Sequence, residues 1–358
     1  MRKLASIRLI DDVMPIENAD RLEQVAIGGW RVVVAEGEFH KGDKVVYFEI
    51  DSALPADDAR YEFLKERCLR KWMCKGRPVA EVIRIRSIKL RGVISQGLVM
   101  RLSAFPEIET AEVGTDVTEL LKVEHYDELA EKYGRITGSA RLAGNAKGNF
   151  PTHLVPKTDE ERLQNLTEYF DGRFSGVWFE VTEKYDGSSA TYIYAPRSRP
   201  DDPFFVCSRN LELKEEEGNL YWEMAKKYKI EEHLERVSTI MGADIALQGE
   251  IVGPGVNGNR DLYTEHQFYV FRCYNATDQC WYTPAIRHAI CATMDWIPHV
   301  KVVDTVEIFD KLKTMEDFLK YVEGKTDRGN EREGMVFKSI DGTVSFKVIN
   351  NNYLLKEK

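Results

Sequence analysis

The sequence predicts an α+β chain of two domains, a small barrel of short strands followed by a larger domain of antiparallel sheets. Three observations carry that expectation. The chain has 358 residues, more than one hydrophobic core usually holds. Roughly its first hundred residues fall into short β-branched or alternating runs separated by glycine turns. From Gly176 onward strand-like runs dominate again, with only two helical patterns among them.

In the first domain, Leu22–Ile27 and Trp30–Ala35 are split by Gly28-Gly29, and Lys41-Gly42-Asp43 turns the chain into a run at 44–50. Further runs lie at 79–88 and 97–102, and 57–70 reads as a helix inserted among them. Short strands at this spacing suggest an OB-type barrel over 1–135. Residues 136–156 are expected to be a linker, because 134–150 is rich in Gly, Ala and Asn. The second domain, 157–358, should open with a helix. Thr158 and Glu161 have capping-box spacing, and the helix should run to about Phe170. Strands are expected at 177–183, 190–195, 203–208, 245–252, 267–273, 301–307, 334–339 and 343–349, with helices at 215–241 and 315–323.

Composition narrows the class. A chain 43% hydrophobic and 30% charged is ordinary for a soluble globular protein. No run of about 18 apolar residues exists, so no membrane span is expected. Met1 to Arg8 is charged throughout and lacks the apolar segment of a secretory signal. Cysteines at 68, 74, 207, 273, 280 and 291 form no Cys-x-x-Cys pair, which points to reduced thiols in the cytoplasm and away from a disulfide scaffold or a zinc site. The net charge of −9 argues against nucleic acid only if distribution is ignored. Between Lys65 and Arg91 ten Lys or Arg residues face only Glu66 and Glu81. That stretch is either a solvated basic face or a phosphate-contacting one.

Chemistry concentrates in the second domain. Glu183-Lys184-Tyr185-Asp186-Gly187 follows the alternating run 177–182. A lysine there can act as a nucleophile toward phosphorus if a carboxylate is near and the amine can be neutral. Cys207-Ser208-Arg209-Asn210 places an arginine past a strand, where it can hold a ribose hydroxyl or a phosphate. Glu250 is the one carboxylate of the strand-like run 246–251, costly to bury unless a cation or metal pairs with it. Phe271, in 267–271, can stack on a base or fill a core. Glu333 sits at the mouth of a strand that also carries Lys338, and Lys347 lies mid-strand between apolar neighbours, as suits phosphate neutralisation. Gly253-Pro254-Gly255-Val256-Asn257-Gly258 matches Gly-x-Gly-x-x-Gly, but no helix pattern follows, so a loop is expected rather than a dinucleotide site.

The ordered set Lys-x-Asp-Gly, Ser-Arg-Asn, Gly-Glu, Phe, Glu-Gly-Met-Val-Phe-Lys and Phe-Lys is similar to the motif series of ATP-dependent RNA and DNA ligases and mRNA capping enzymes. DNA ligases and capping enzymes carry their barrel after the last motif, whereas here eleven residues follow Lys347 and the barrel comes first. That order resembles the Deinococcus/Naegleria-type RNA ligases, the fifth RNA ligase family, over essentially the whole chain. The resemblance implies that Lys184 is adenylylated by ATP. It implies that Asp186, Glu250 and Glu333 organise Mg2+ or Mn2+, largely through the metal's water shell. Lys347 would contact the AMP phosphate, Arg209 the ribose or a phosphate, and Phe271 the adenine. Lys338, Glu183, Arg162, Gln164 and Asn165 would complete the nucleotide site. The partner implied is broken or nicked RNA, gripped by the barrel, with no membrane and no obligate protein partner. Two close alternatives use the same residues: a DNA-nick ligase, disfavoured by Ser189 where many DNA ligases carry arginine, and a capping-type guanylyltransferase. A non-catalytic OB-fold RNA-binding protein would leave Lys184, Glu250, Glu333 and Lys347 without a role.

Overall fold

Short strands form in the first part of the chain because β-branched runs alternate between glycines that accept left-handed backbone. Gly28 (φ 55°) closes the Leu22–Ile27/Trp30–Ala35 hairpin, and Lys75-Gly76 (φ 48° and 78°) closes a second hairpin between Leu69–Cys74 and Arg77–Arg84. A computed structural model describes residues 3–137, 145–157, 159–295 and 297–356. The chain divides into two units, 1–143 and 144–356.

In the first unit, Lys44–Phe48 lies between Ala5–Leu9 and Leu98–Arg101, all antiparallel. Asp12–Pro15 extends the first hairpin. A four-stranded sheet runs Glu124–His125, Ser52–Pro55, Arg77–Arg84, Leu69–Cys74. Ile7, Val46, Phe48, Leu54, Tyr61, Ile83 and Phe105 build the core between these sheets. The expected helix at 57–70 is shorter and partly wrong. Ala59–Leu64 is 3₁₀, capped by Asp58, which accepts from the Arg60 backbone N–H at 2.9 Å. Lys65–Cys68 is a single α-turn, and Leu69 begins a strand. The basic stretch is therefore largely a β-ribbon. Arg67, Lys71, Lys75, Arg77, Lys89 and Arg91 are exposed on and around it. Arg84 is engaged elsewhere, 3.6 Å from Asp51 and stacked 4.3 Å from the Tyr126 ring centre.

The connector differs at both ends from the expected linker. Tyr126–Thr137 is a helix and Ala146–Asn149 a strand paired with Leu211–Leu213; 138–144 lies outside the described residues.

The second unit has two antiparallel sheets. Seven strands run in the order Ala146–Asn149, Leu211–Leu213, Phe204–Ser208, Ser188–Tyr194, Ile245–Val252, Gln267–Asn275, Cys280–Trp281. Four run Val302–Val306, Phe179–Lys184, Gly334–Ser339, Ser345–Ile349. One face of the smaller sheet is apolar: Phe179, Val181, Met335, Phe337, Phe346 and Val348 pack with Phe309 and Phe318 from flanking helices. Phe337 and Phe346 stack at 4.8 Å, and each buried ring contributes about 2–3 kcal/mol of transfer free energy. That apolar face fixes the register, because a one-residue slip would carry the phenylalanines to the opposite side.

The helix expected after Thr158 does not form. Thr158 itself is outside the described residues, and the chain makes two short 3₁₀ turns, Leu163–Asn165 and Thr167–Asp171. The backbone of Lys347 donates to the Glu161 carbonyl at 2.9 Å, so this segment lies along a strand rather than coiling. The long helix at 215–241 is two, Leu220–Lys227 and Ile230–Met241, broken where Lys229 adopts φ 47°. Pro284–Thr293 is a helix that the strand-dominated sequence pattern did not disclose. No helix among the described residues is long and apolar enough to cross a membrane.

Candidate active site

The face of the four-stranded sheet opposite its core is polar and carries the chemistry. Lys184 pairs with Gly334, Glu180 with Lys338, and Val336 with Lys347. Paired residues share a face, so Lys184, Lys338 and Lys347 project to one side. The seven-stranded sheet supplies Glu250, paired with Ser189 and Tyr269. Lys338 and Arg272 tie the two sheets together: Lys338 Nζ donates to the Phe271 carbonyl at 2.9 Å and Arg272 to Ser345 Oγ at 3.3 Å.

Glycines let the strands approach. A Cβ on Gly187 would stand 2.3 Å from the Ile251 carbonyl and 2.9 Å from Glu250 Cγ. One on Gly334 would stand 2.3 Å from the Val348 carbonyl. Glycine in Lys-x-Asp-Gly is thus required by close approach to the Glu250 strand. Gly187→Ala should cost about 1–3 kcal/mol through overpacking, read by thermal melting.

Lys184 Nζ lies 2.7 Å from Glu333 Oε1. Burial alone would lower the Lys184 pKa, but Glu333, Glu250 and Asp186 outweigh it, and the amine is held above its ordinary value. In the free protein the three acids keep it charged. Burial pushes Glu250 up to about 8, reinforced by Glu333 and Asp186 against the pull of Lys184. Burial also raises Glu333, whose Oε2 has no hydrogen-bond partner among the described residues. Asp186 is 7% exposed; its Oδ1 accepts from Asn257 Nδ2, while Oδ2 is buried without a hydrogen bond.

A cationic group stands next to these acids. Lys347 Nζ is 2.6 Å from Asp159 Oδ1, and Arg209 is 3.7 Å from Asp159 Oδ2. Burial depresses the Lys347 pKa, with Arg162 and Lys184 adding to it and Asp159 opposing. Arg162 is buried and its backbone bridges Lys347. The Asn165 side chain donates to Glu161 at 2.9 Å, and the buried Gln164 amide has no partner among the described residues.

Two expected residues are set apart. Glu183 turns to the opposite face from Lys184, where burial raises its pKa and Arg332 and Lys301 oppose that rise. Lys338 sits in a second buried group with Glu160, Glu180, Arg272 and Arg287, and burial lowers it to about 8. Arg287 grips Glu180 through two bonds of 2.9 and 3.0 Å, and His288 adds a third at 2.9 Å. Phe271 occupies a β-bulge: Gln248 pairs with Arg272 and Gly249 with Val270, leaving Phe271 unpaired in register. Its carbonyl receives both Lys338 and Arg287.

Asp159, Glu160, Asn257, Arg260, Arg272 and Tyr353 join these residues without having stood out in the sequence. Asp159 and Glu160 looked like first-turn acids of a helix, and only the pairing of their segment with Lys347 reveals them. Tyr353 lies beyond the last motif; burial raises its phenol pKa, and Glu333 and Asp186 add to the rise.

Residues 4–102 match the family model of an OB-fold domain, and 178–349 that of RNA ligase. Among solved structures, the chain is similar to an apo mutant of Naegleria gruberi RNA ligase, at 36% identity and TM-score 0.85, covering 99% of this chain and 98% of that one. It is similar to a mutant of the same ligase with ATP and Mn, at 35% identity and TM-score 0.84, covering 99% of both chains. It is also similar to that ligase with pyrophosphate, at 36% identity and TM-score 0.84, over 100% of this chain and 99% of the other. No curated protein matches this chain.

Proposed function

This chain belongs to the RNA ligase family, and from that premise we propose that Lys184 is the residue through which it performs ATP-dependent joining of RNA. The observation that carries the assignment is the half-buried Lys184, set among Asp186, Glu250 and Glu333 and 2.7 Å from Glu333, with Lys347 and Arg209 nearby. Lys184 Nζ attacks the α-phosphorus of ATP and pyrophosphate leaves. AMP then passes from Lys184 to a 5′-phosphate of RNA. A 3′-hydroxyl attacks that phosphate, AMP departs, and the strand is sealed.

Solved structures of the Naegleria enzyme hold Mn with AMP or ATP. Here Glu333 Oε2, which accepts no hydrogen bond among the described residues, suits a divalent cation, with the Asp186 carboxylate beside it. Among the described residues no three ligating side chains stand close enough to cage one directly. Asp186, Glu250 and Glu333 would hold Mg2+ or Mn2+ through its waters, where it would supply screening of phosphate charge. A cation held there would compete for the charge of the three acids that hold the Lys184 proton. Lys347 and Arg209, now paired with Asp159, would turn to the phosphate and ribose. Arg162, Gln164 and Asn165 line the nucleotide side, where the unpaired Gln164 amide supports a ligand contact. Lys338 Nζ lies 5.7 Å from the Phe271 ring centre, and Phe271 would stack on adenine. Glu183 faces away from Lys184, and the charges of Arg332 and Lys301 oppose the rise that burial gives its pKa.

We assign RNA gripping to the first domain, 1–135, and nucleotidyl transfer to the second, 157–358. All six cysteines are free thiols, which supports a reducing, cytoplasmic setting. If the basic ribbon contacts phosphates, RNA affinity should fall steeply with salt. Replacing Lys75 and Arg77 with Ser should weaken binding and flatten the logarithmic salt slope by about 2. Unchanged affinity in filter binding at several salt concentrations would remove the ribbon from the interface.

The activity is tested by offering nicked substrates with RNA or DNA 3′-hydroxyl ends and either ATP or GTP. Sealing of RNA ends with ATP alone is expected. GTP-only labelling would indicate capping chemistry, and preferential sealing of DNA ends a DNA ligase.

A further inference from the structure

The loop after the Glu250 strand, which matches Gly-x-Gly-x-x-Gly in sequence, touches the site through two side chains. Asn257 Nδ2 donates to Asp186 Oδ1, and Arg260 Nε lies 3.6 Å from Asp186 Oδ2. We infer that Asn257 and Arg260 are positioning residues that set the rotation of the Asp186 carboxylate beside Lys184. The inference rests on the ligase reading above.

A carboxylate turns easily about its last torsion, which is broad and two-fold. Here one oxygen is pinned and the other is not. Asn257 occupies Oδ1, while Arg260 approaches Oδ2 at ion-pair distance without a hydrogen bond. Oδ2 is buried beside Arg260, the Tyr353 phenol also interacts with this carboxylate, and Oδ2 keeps acceptor capacity in a fixed direction. A carboxylate that must act through water or metal needs that open acceptor, held in one place.

The loop is built to keep the two donors there. Arg260 stacks 4.4 Å from the Tyr353 ring centre. Asn259 bonds Tyr263 twice, its side chain donating to the carbonyl and accepting from the backbone N–H, both at 2.9 Å. The Asp261 carboxylate accepts from Thr326 Oγ1 at 2.8 Å, and His266 Nε2 bonds the Pro254 carbonyl at 2.8 Å. Gly253 (φ 147°) has no room for a side chain, since a Cβ would stand 2.5 Å from the His266 ring. Asn257 and Asn259 take left-handed backbone at φ 40° and 46°, which asparagine tolerates better than most residues. The glycine pattern thus serves a clamped loop that presents two donors to a carboxylate.

The test uses single-turnover formation of the protein–AMP adduct in the full chain. Asn257→Gly removes the donor and keeps the backbone conformation. Arg260→Ala removes the guanidinium, and Arg260→Lys restores a charge. Loss of about tenfold for Asn257→Gly and up to about 100-fold for Arg260→Ala is expected, as for a misplaced group near the reaction. Half-saturating ATP and, for Asn257→Gly, the melting temperature should stay as in wild type, and Arg260→Lys should recover part of the rate. Both substitutions should add nothing in an Asp186→Asn background, because their effect passes through that carboxylate. Wild-type rates in both variants, or equal losses with and without Asp186, would overturn the inference while leaving the ligase reading intact. A wild-type protein that takes no AMP from ATP would overturn the ligase reading and this inference with it.

Discussion

Glu250→Gln should abolish adenylylation and, at the same time, stabilise the free protein at alkaline pH. Burial pushes Glu250 up to about 8, far above the ordinary carboxylate range. A raised folded pKa means that the native state holds a proton the unfolded chain has released. The stability that the neutral acid contributes is complete below about pH 4.5, falls as pH rises, and is lost once pH passes about 8. Glutamine is neutral throughout. The gain in melting temperature on substitution should therefore be absent near pH 4.5 and largest above pH 8, where it corresponds to about 1–3 kcal/mol. Catalysis should move the other way. Glutamine cannot ionise when nucleotide and cation arrive, so one of the three acids that organise the site is lost, an expected loss of about 100–1,000-fold in protein–AMP formation. Melting curves across pH and single-turnover labelling check both halves. A uniform destabilisation at every pH, with labelling retained, would show that Glu250 is a structural group.

Lys347→Ala should cost as much in the first chemical step with little change in stability. Lys347 is buried enough for its pKa to fall, yet its partner Asp159 is 38% exposed and also faces Arg209. Losing the lysine leaves Asp159 solvated rather than stranded, so the melting temperature should shift little. The nucleotide phosphate loses a fixed cation, and adenylylation should fall about 100-fold or more. Lys347→Arg should restore only part of the rate, because a planar guanidinium does not replace a compact ammonium in a tight strand setting. An alanine variant that labels at the wild-type rate would remove Lys347 from the phosphate site.

Much of this was legible in the sequence for physical reasons. Strand boundaries such as Ile245–Val252 and Gly334–Ser339 follow from β-branched runs that end at charge or glycine. Lys184, Glu250, Glu333 and Lys347 stand out because each is a charge in or beside an apolar strand, a costly placement unless groups converge on it. What stayed hidden depends on long-range pairing. Asp159 and Glu160 resembled helix-cap acids until their segment was seen beside Lys347. The bulge that frees Phe271 arises from register between two strands, which no local pattern encodes. Arg260 and Tyr353 are separated by more than ninety residues and meet only through the fold. The sign of the Lys184 shift was also out of reach, since it depends on how three acids and burial balance at one amine.

The central claim is that Lys184 carries the nucleotide. Its most direct test is to incubate the protein with ATP and Mn2+ without RNA, digest it, and locate the AMP-bearing residue by mass spectrometry, with Lys184→Ala alongside. AMP on Lys184, and none in the variant, is the predicted result. AMP on Lys338, Lys347 or any other side chain, or adduct formation undiminished in Lys184→Ala, would contradict it.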